Sequence, residues 1–246
     1  MPKIPDIFVV MPAYNAEKTL IQTYNDIPKD IVKKIILVDD KSHDQTVKVA
    51  RDLGLTIFEH PVNKGYGGNQ KTCYTMALEQ GAEIVVMLHP DYQYDPKIMA
   101  KMVRPIINGS ADIVLGSRML DGSALPGGMP KYKYAANKFL TFCENVVLGL
   151  NLSEYHTGYR AYSRKVLETL PFTKNSDNFV FDQEFLIQAV YFGFKITEVA
   201  CPCKYMDDAS SISFKNSVVY GLSTLQTLAR YLGHKLCLKN SKFLEN

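Results

Sequence analysis

The stretch "VVMLHPDYQYDP", residues 85–96, decides the fold. Its first four residues form a short β-branched and aliphatic run, which is typical of a strand covered on both faces. The polar residues His89, Asp91 and Gln93 follow at once. We therefore expect them at the carboxyl end of a buried strand, the edge at which open α/β sheets bind ligands. A turn started by Pro90 is the simpler alternative, and the rest of the chain decides between the two.

Strands and helices alternate outward from this stretch through the first half of the chain. Runs with strand character occupy five ranges: 6–12, 34–40, 55–60, 83–89 and 111–118. Runs with helical spacing lie between them, at 16–27, 43–54, 67–81 and 96–108. Pro105 is expected to kink or split the last of these helices. The alternation predicts an α/β fold with a mainly parallel central sheet flanked by helices.

The second half of the chain is less regular. A segment rich in glycine and proline, residues 121–132, predicts a mobile loop. Helices are predicted near 134–149, 181–193 and 214–238, and a strand at 195–202, whereas the segment 154–163 is assigned no element. Since no repeat or low-complexity tract divides the chain, we predict one domain spanning residues 1–246.

Composition narrows the class of protein. The chain has 246 residues, 46% apolar and 22% charged, with a formal net charge of +3, so it should bury a sizeable core and is no general binder of nucleic acid. Its five cysteines, at positions 73, 143, 201, 203 and 237, form an odd, scattered set. They favour buried thiols in a reducing cytoplasm over disulfides or a zinc site. The sequence shows neither a signal peptide nor a stretch long enough to span a bilayer, which also favours a cytoplasmic location.

Two adjacent carboxylates end the second predicted strand, in "VDDKSHDQT", residues 38–46. Asp39 and Asp40 repel each other at the edge of a buried strand, so hydrogen-bond donors or a ligand should stabilise them. A nucleobase N–H or a ribose hydroxyl suits this need. Asp44 is explained by a capping role at the start of the next helix.

Three glycines follow the third predicted strand, in "NKGYGGNQK", residues 63–71. Gly65, Gly67 and Gly68 permit the close approach of another group, and the helix that they open can bind a phosphate at its N-terminus. A structural turn explains them equally well. The dinucleotide-binding pattern GxGxxG is excluded, because Gln70 stands where its last glycine belongs.

Asp91 suits a hard divalent cation. Mg²⁺ and Mn²⁺ prefer carboxylate and phosphate oxygens, and with a nucleotide diphosphate they need only one or two protein ligands. His89 falls on the same side of an extended segment as Asp91, and as a second ligand it would suit Mn²⁺ better than Mg²⁺. A packed or hydrogen-bonded histidine is the alternative interpretation of His89.

Four further charged residues, between positions 118 and 184, complete the candidate site. Arg118 follows the fifth strand, where it would grip a phosphate through two hydrogen bonds or form a surface ion pair. Arg160 lies in "HTGYRAYS", residues 156–163, beside a glycine that lets another group approach closely. Asp182 and Glu184 belong either to a solvated helix face or, given the phenylalanines around them, to a cleft. In a cleft, burial would raise the pKa of the acid and suit it to act as a general base.

Six segments carry a family resemblance: "VVMPAYNAEKTL", "ILVDDKSHDQT", "NKGYGGNQK", "HPDYQYDP", "LGSR" and "HTGYRAYS". In their content and order the sequence resembles a family 2 glycosyltransferase with the GT-A fold. It is most similar to the branch that contains dolichol-phosphate mannose synthases and related polyprenyl-phosphate sugar transferases. The resemblance covers roughly residues 6–207. The single domain would then have a nucleotide-sugar-binding half at about residues 1–120 and an acceptor-side half at about 121–246.

The resemblance assigns roles to particular residues. Contacts with the nucleotide sugar would come from Pro12, Tyr14, Glu17, Asp39, Asp40, Gln93, Arg118 and Arg160, and Gly65 and Lys71 of the glycine segment join this set. Asp91 would hold the metal, with His89 as a second candidate ligand, and Asp182 or Glu184 would supply the base. The family usually has Asp-x-Asp where this chain has His89-Pro90-Asp91, so the first carboxylate is missing and the choice of metal is open.

The implied reaction is an inverting, metal-dependent transfer of a sugar from a UDP- or GDP-linked donor, in the synthesis of cell envelope glycans. A glycan hydroxyl as acceptor would need Asp182 or Glu184 to take its proton, whereas a polyprenyl phosphate is already ionised near neutral pH. Both acceptor classes stay open. Two rival functions also remain: a sugar-1-phosphate nucleotidyltransferase, which should carry a glycine-rich loop where this chain has "PAYNAE", and a nucleotide-sugar-binding module without catalysis.

The C-terminal stretch, residues 214–243, has an apolar stripe at helical spacing: Val218, Leu222, Leu225, Leu228 or Ala229, and Leu232. Its later part gains four cations: Arg230, Lys235, Lys239 and Lys242. Packing on the domain or against a second subunit is the common reason for such a stripe. The alternative is an amphipathic helix attracted to anionic lipid, and a polyprenyl acceptor would require such peripheral docking on the cytoplasmic face of a membrane.

Overall fold

The computed structural model describes residues 5–203, 205, 214–237 and 241–244. Within these ranges seven strands form one sheet: β1 Ile7–Ala13, β2 Lys34–Asp39, β3 Thr56–Glu59, β4 Ile84–Met87, β5 Ile113–Ser117, β6 Arg160–Ser163 and β7 Ile196–Ala200. Their order across the sheet is β3-β2-β1-β4-β6-β5-β7. Both halves of the chain therefore contribute strands to the same sheet.

The sheet is mixed, with a parallel majority. Strands β3, β2, β1 and β4 run parallel to one another, and β7 runs parallel to β5, whereas β6 is antiparallel to both of its neighbours. The predicted α/β fold with a mainly parallel sheet is confirmed. Strand β6 lies in the segment for which the sequence predicted no element, because its four residues, "RAYS", contain no apolar run.

Helices cover both faces of the sheet: α1 Leu20–Asp26, α2 Thr46–Asp52, α3 Gly65–Glu79, α4 Met99–Ile107, α5 Lys131–Leu148, α6 Arg164–Thr169, α7 Phe181–Tyr191 and α8 Phe214–Lys235. Side chains alternate along a strand, so β1 serves two cores. Phe8 and Val10 join the core under α3, α5, α7 and α8. Val9 and Met11 join the core under α1, α2 and α4.

Helix α4 runs without a break through Pro105, so the expected split does not occur. The proline lies in the last turn of the helix, where its missing N–H removes a single helical hydrogen bond. Its carbonyl accepts the N–H groups of Ser110 and Ala111 (2.9 and 3.1 Å), which close the end of the helix. The predicted helix at 96–108 is thus a short 3-10 turn, Pro96–Ile98, followed directly by α4.

Helix α8 packs against α5 and α7. Of its predicted apolar stripe, Leu228 is buried, whereas Val218, Leu222 and Leu232 are exposed. Lys239 falls outside the described residues. In the described ranges, every helix is too short or too polar to span a bilayer.

Candidate active site

The candidate site lies at the carboxyl edge of the sheet, where β2, β1 and β4 end side by side. Asp39 of β2 pairs with Ala13 of β1, and the N–H of Leu88, just beyond β4, donates to the carbonyl of Val10 (3.1 Å). The strands are parallel, so Asp39 and the segment that begins at His89 leave the same edge with β1 between them. Because neighbouring strands lie about 4.8 Å apart, the two are separated by roughly 10 Å.

Asp39 and Asp40 are buried, and the protein itself supplies their hydrogen-bond donors. Asp39 accepts bonds from the N–H and the hydroxyl of Ser42 (2.9 and 2.5 Å). Asp40 accepts backbone N–H groups at positions 64 and 65 (2.8 and 3.0 Å), and its Oδ1 lies 2.8 Å from Nδ1 of His60. The donors that the adjacent carboxylates require are thus present in the chain. Contact of either acid with a nucleoside stays a prediction.

The glycines after β3 make room for another part of the chain. A Cβ on Gly67 would lie 2.4 Å from the carbonyl oxygen of Ser176, and a Cβ on Gly65 would lie 2.9 Å from that of Asp177. The Gly67 N–H donates to the same Asp177 carbonyl (2.7 Å). The close approach predicted for these glycines is therefore made by backbone. The N–H of Gly65 already donates to Asp40, so phosphate binding there stays a prediction.

His89 is enclosed between Tyr66 and Gly158. Its ring stacks on Tyr66, with ring centroids 5.5 Å apart, and its Nε2 lies 3.3 Å from the Tyr66 hydroxyl. A Cβ on Gly158 would lie 2.7 Å from the imidazole, so the glycine beside Arg160 does admit another group. Burial lowers the pKa of His89, against the opposing charge of Asp91. The imidazole is therefore neutral near pH 7, which is the form that binds metals.

Asp91 is partly exposed in the turn after β4. Its Oδ1 accepts the N–H of Gln93 (3.0 Å), which orients the carboxylate. Among the described residues, no group of three or more His, Cys, Asp and Glu side chains is arranged to hold a metal. A cation here would be held by Asp91, with His89 beside it, and would complete its coordination with diphosphate oxygens, as Mg²⁺ commonly does. This donor set fits a divalent cation that arrives with a nucleotide.

Arg160 and Asp182 form a buried ion pair between β6 and α7. Nη1 of Arg160 lies 3.2 Å from Oδ1 of Asp182, and Arg160 is only 1% exposed. Asp182 also accepts hydrogen bonds from the Tyr66 hydroxyl (2.8 Å, to Oδ2) and the Gln70 amide (3.2 Å, to Oδ1). Both carboxylate oxygens therefore have protein partners, which join α3, α7 and β6.

Glu184 faces the other way on α7. Residues two positions apart on a helix point about 200° apart, so Glu184 and Asp182 cannot line the same cleft. Glu184 accepts the N–H of Ser176 (2.6 Å) and lies 3.6 Å from Arg230. Burial raises the pKa of Glu184, against the opposing effects of these two partners. Of the two candidate bases, Asp182 is the one connected to His89, through Tyr66.

Arg118 lies just beyond β5, as predicted, but it is buried. Its N–H and Nε donate to Glu154 (2.7 and 3.0 Å), and its guanidinium also donates to the hydroxyl of Tyr205 (2.8 Å) and the carbonyl of His156 (2.6 Å). Burial alone would raise the pKa of Glu154, but the Arg118 guanidinium holds it below its usual value. The ion pair is thus interior rather than at the surface, and contact of Arg118 with a phosphate stays a prediction.

The remaining predicted contacts at this edge are Pro12, Tyr14, Glu17 and Gln93. Tyr14 is half exposed at the end of β1. Glu17 accepts a backbone N–H from the turn before α2, at position 45 (2.7 Å). Lys71 lies further along α3, where its Nζ donates to Asp177 (2.8 Å). Their contacts with a nucleotide sugar stay predictions.

Sequence reasoning did not assign Tyr66, Gln70 and Glu154 to the site. Tyr66 and Gln70 are four residues apart at the start of α3, so both reach Asp182 from one side of the helix. That spacing was a usable signal once the helix was predicted. Glu154 offered no local signal, because its partner lies 36 residues earlier in the chain.

Comparison with known families identifies the protein class. The model of glycosyl transferase family 2 matches residues 8–170, which is more than half of the chain. The protein belongs to this family and is a glycosyltransferase. The predicted family resemblance is thereby confirmed.

Two relatives cover nearly the whole chain. An uncharacterised protein of Methanocaldococcus jannaschii is 33% identical over 220 residues, which is 89% of each chain. The UDP-N-acetylglucosamine–dolichyl-phosphate N-acetylglucosaminyltransferase of Methanococcus voltae is 30% identical, over 97% of this chain and 98% of the relative. The likeness therefore extends well beyond residue 170, where the family match ends.

Solved structures share the fold. Glucosyl-3-phosphoglycerate synthase of Mycobacterium tuberculosis in complex with UDP superposes with a TM-score of 0.72 at 19% identity, over 93% of this chain and 80% of that enzyme. Its complex with Mn²⁺, UDP-glucose and phosphoglyceric acid gives a TM-score of 0.69. At this identity the likeness shows the fold alone, and it confirms the predicted GT-A fold.

Proposed function

We propose that this glycosyltransferase moves a sugar, with inversion, from a nucleotide-diphosphate sugar to the phosphate of a polyprenyl lipid. The observation that carries the choice of acceptor is the state of Asp182, whose two oxygens are held by Arg160, Tyr66 and Gln70. Both oxygens of Asp182 already accept hydrogen bonds or an ion pair from the protein, so the carboxylate is not placed to take the proton of a sugar hydroxyl. Glu184 faces away from this position, so neither candidate acid suits the activation of a sugar hydroxyl.

A phosphate acceptor removes the need for a base. Its oxygen is ionised near neutral pH, so it attacks the anomeric carbon directly, on the face opposite the departing nucleotide. Arg160, which the resemblance places at a phosphate, is 1% exposed and paired with Asp182, so its contact with an acceptor phosphate would require this pair to open. The Methanococcus voltae relative supports this choice, since its name specifies dolichyl phosphate as acceptor. The enzyme would then work at the cytoplasmic face of a membrane, in the synthesis of cell envelope glycans.

The donor would occupy the other side of the sheet edge. The half-exposed ring of Tyr14 and the turn that Asp39 organises would take the nucleoside, at the ends of β1 and β2. The diphosphate would extend from there toward Asp91, at the end of β4. A divalent cation, Mg²⁺ or Mn²⁺, bound at Asp91 would offset the charge of the departing nucleotide diphosphate. The Mn²⁺ complex of the enzyme that shares this fold supports such a cation.

A transfer assay with paired acceptors tests the proposal. The purified protein is incubated with labelled UDP- and GDP-linked sugars, Mn²⁺ or Mg²⁺, and either a polyprenyl phosphate in detergent or a panel of glycans. Label should appear in the organic phase with the lipid acceptor, and the anomeric configuration of the product should be opposite to that of the donor. Transfer to glycan hydroxyls alone would refute the lipid-phosphate acceptor, and a retained configuration would refute inversion.

Other outcomes would favour the rival functions. Release of pyrophosphate from a nucleoside triphosphate and a sugar 1-phosphate would indicate a nucleotidyltransferase. Binding of the nucleotide sugar without turnover on any acceptor would indicate a non-catalytic module. The pH profile of Asp182→Asn tests the base separately, since loss of the acidic limb of kcat in this variant would show that Asp182 takes a proton after all.

A further inference from the structure

Helix α5 exposes an apolar stripe on the side that faces away from the core. Phe139, Phe142 and Val146 follow one another at helical spacing and are 58%, 66% and 67% exposed. The opposite side of the helix, which includes Leu140 and Glu144, is buried. A series of large exposed apolar side chains marks an interaction site on a protein surface.

Helix α8 carries a similar stripe. Val218, Val219 and Leu222 are 48%, 56% and 63% exposed, whereas Thr224 and Leu228 on the other side of the helix are buried. The sequence predicted that Val218 and Leu222 belong to a stripe that packs on the domain, packs on a second subunit or lies at a lipid interface. Their exposure removes the first of these interpretations for these two residues.

The two stripes form one surface. Helices α5 and α8 pack side by side, and a Cβ on Gly221 would lie 3.7 Å from Cδ1 of Leu140. Leu140 is next to Phe139 and Gly221 is next to Leu222, so the exposed sides of both helices turn outward from this contact. The α5–α8 surface is defined by six residues: Phe139, Phe142, Val146, Val218, Val219 and Leu222.

The charges beside the α5–α8 surface are positive. Together the two helices contain a single acid, Glu144, and it is buried. Lys131 and Lys138 of α5 are exposed, and so is Arg230, which lies two turns beyond Leu222 on α8 and 3.6 Å from Glu184. An outward face with aromatic and aliphatic side chains, flanked by lysine and arginine and free of exposed acids, matches the boundary of a membrane that bears anionic lipid.

We propose that the α5–α8 surface docks on a membrane surface rich in anionic lipid. A second copy of the chain is the competing occupant. In a two-fold dimer the same patch meets itself, so the lysines of one copy would face those of the other without acids to pair them. The anionic headgroups of a membrane provide the missing opposite charge.

Docking at this surface would bring the acceptor side of the site to the lipid headgroups. On α8, the hydroxyl of Tyr220 lies 2.7 Å from the side-chain nitrogen of Gln183, the neighbour of Asp182. On α5, Glu144 lies 3.0 Å from His156, in the segment that leads into β6. Both helices thus connect the surface to the buried ion pair of the acceptor side. The inference rests on the proposed function, because a polyprenyl phosphate presents its phosphate among the lipid headgroups of the membrane surface.

Vesicle flotation tests the docking surface. The wild type should float with vesicles of phosphatidylglycerol and phosphatidylcholine, and not with phosphatidylcholine alone. Phe139→Ser/Phe142→Ser should weaken binding roughly tenfold or more, because it removes two apolar anchors. The matched control, Ile21→Ser/Ile107→Ser, removes side chains of similar exposure (48% and 50%) from helices on the opposite face of the sheet, and it should bind like the wild type.

The basic residues provide a second, independent variant. Lys131→Gln/Lys138→Gln should weaken binding roughly 25-fold, because each lysine near an anionic surface strengthens binding roughly fivefold. Added salt should weaken wild-type binding in the same direction. Circular dichroism and the thermal shift produced by the nucleotide sugar show whether each variant is folded.

Distinct results would overturn the inference. Absence of wild-type flotation would do so, as would an equal loss in the isoleucine control. A dimer that Phe139→Ser/Phe142→Ser dissociates, without flotation, would assign the surface to a second copy instead. Flotation without sugar transfer would support the docking surface and refute the proposed function. Transfer to detergent-solubilised polyprenyl phosphate without flotation would support the proposed function and refute the docking surface.

Discussion

Two parts of the site are held together in different ways: the turn after β2, which we propose as the nucleotide side, and the segments around Glu154 and Asp182, which we propose as the acceptor side. On the nucleotide side, Asp39 bonds to Ser42, three residues further along the chain. On the acceptor side, Arg118 pairs with Glu154 across 36 residues of sequence. Short loops cost little chain entropy to close, so the first contact can form locally, whereas the second requires the assembled sheet. The turn that holds Asp39 is thus encoded locally, whereas the Arg118–Glu154 pair depends on the assembled fold.

The largest expected effect tests the long-range pairs. Glu154→Gln leaves the Arg118 guanidinium buried without its counter-charge, and breaking a buried ion pair costs roughly 3–5 kcal/mol in the free energy of unfolding. Urea denaturation measures the loss. The matched control is Glu168→Gln, whose pair with Arg164 is exposed and should change stability little. Equal, small losses in both variants would show that the acceptor side does not depend on its buried pair.

The next effect concerns the carboxylate between the two sides. Asp91→Ala should lower kcat/KM roughly 10²- to 10³-fold, because the charge of the departing diphosphate loses its cation. It should also abolish the Mn²⁺-dependent part of the thermal shift caused by a nucleotide diphosphate. Asp95→Ala, which removes a carboxylate that caps the next turn, should keep that dependence. An unchanged shift in Asp91→Ala would contradict the metal assignment.

A smaller effect is expected at the contact between α3 and the segment before α7. Gly67→Ala places a methyl group 2.4 Å from the carbonyl oxygen of Ser176, so α3 and the segment before α7 must separate. Crowding of this kind costs roughly 1–3 kcal/mol of unfolding free energy. Gly233→Ala, in α8 with open space around its Cβ, should instead stabilise slightly, because alanine favours a helix. Tolerance of Gly67→Ala without loss of stability would mean that the 176–177 backbone does not need the glycine.

The smallest effect is a pH dependence on the acceptor side. Burial raises the pKa of Glu184 above its usual value of 4.5, so the native state favours the protonated acid. Below 4.5 the acid carries its proton in both folded and unfolded chains, and this stabilisation is lost as the pH rises through the raised pKa. Relative to Glu184→Gln, the wild type should therefore unfold more easily at about pH 7 than at about pH 4. Urea titrations of both proteins would show the trend, and the reverse order would contradict the burial effect.

Local patterns predicted most of the sheet and the edge that carries the site. The strand ends at Asp39 and at His89 could be predicted, because apolar runs stop there and polar residues follow. The pairing of Asp182 with Tyr66 could not be predicted, since 116 residues separate them and no local pattern reports a contact between helices α3 and α7. For the glycine segment, the sequence predicted that another group approaches closely. It did not predict that this group is the backbone of residues 176–177.

The sequence by itself determined the α/β class, the parallel strands β1 to β4 and the acids at their carboxyl ends, because strand period and strand termini are local properties of the chain. Only the tertiary structure decided that Arg118 is buried against Glu154, that Asp182 is held by an ion pair, and that the stripes of α5 and α8 join into one exposed surface. Each of these depends on which distant segments pack together. That choice is made by burial over the whole core rather than by any one stretch of sequence.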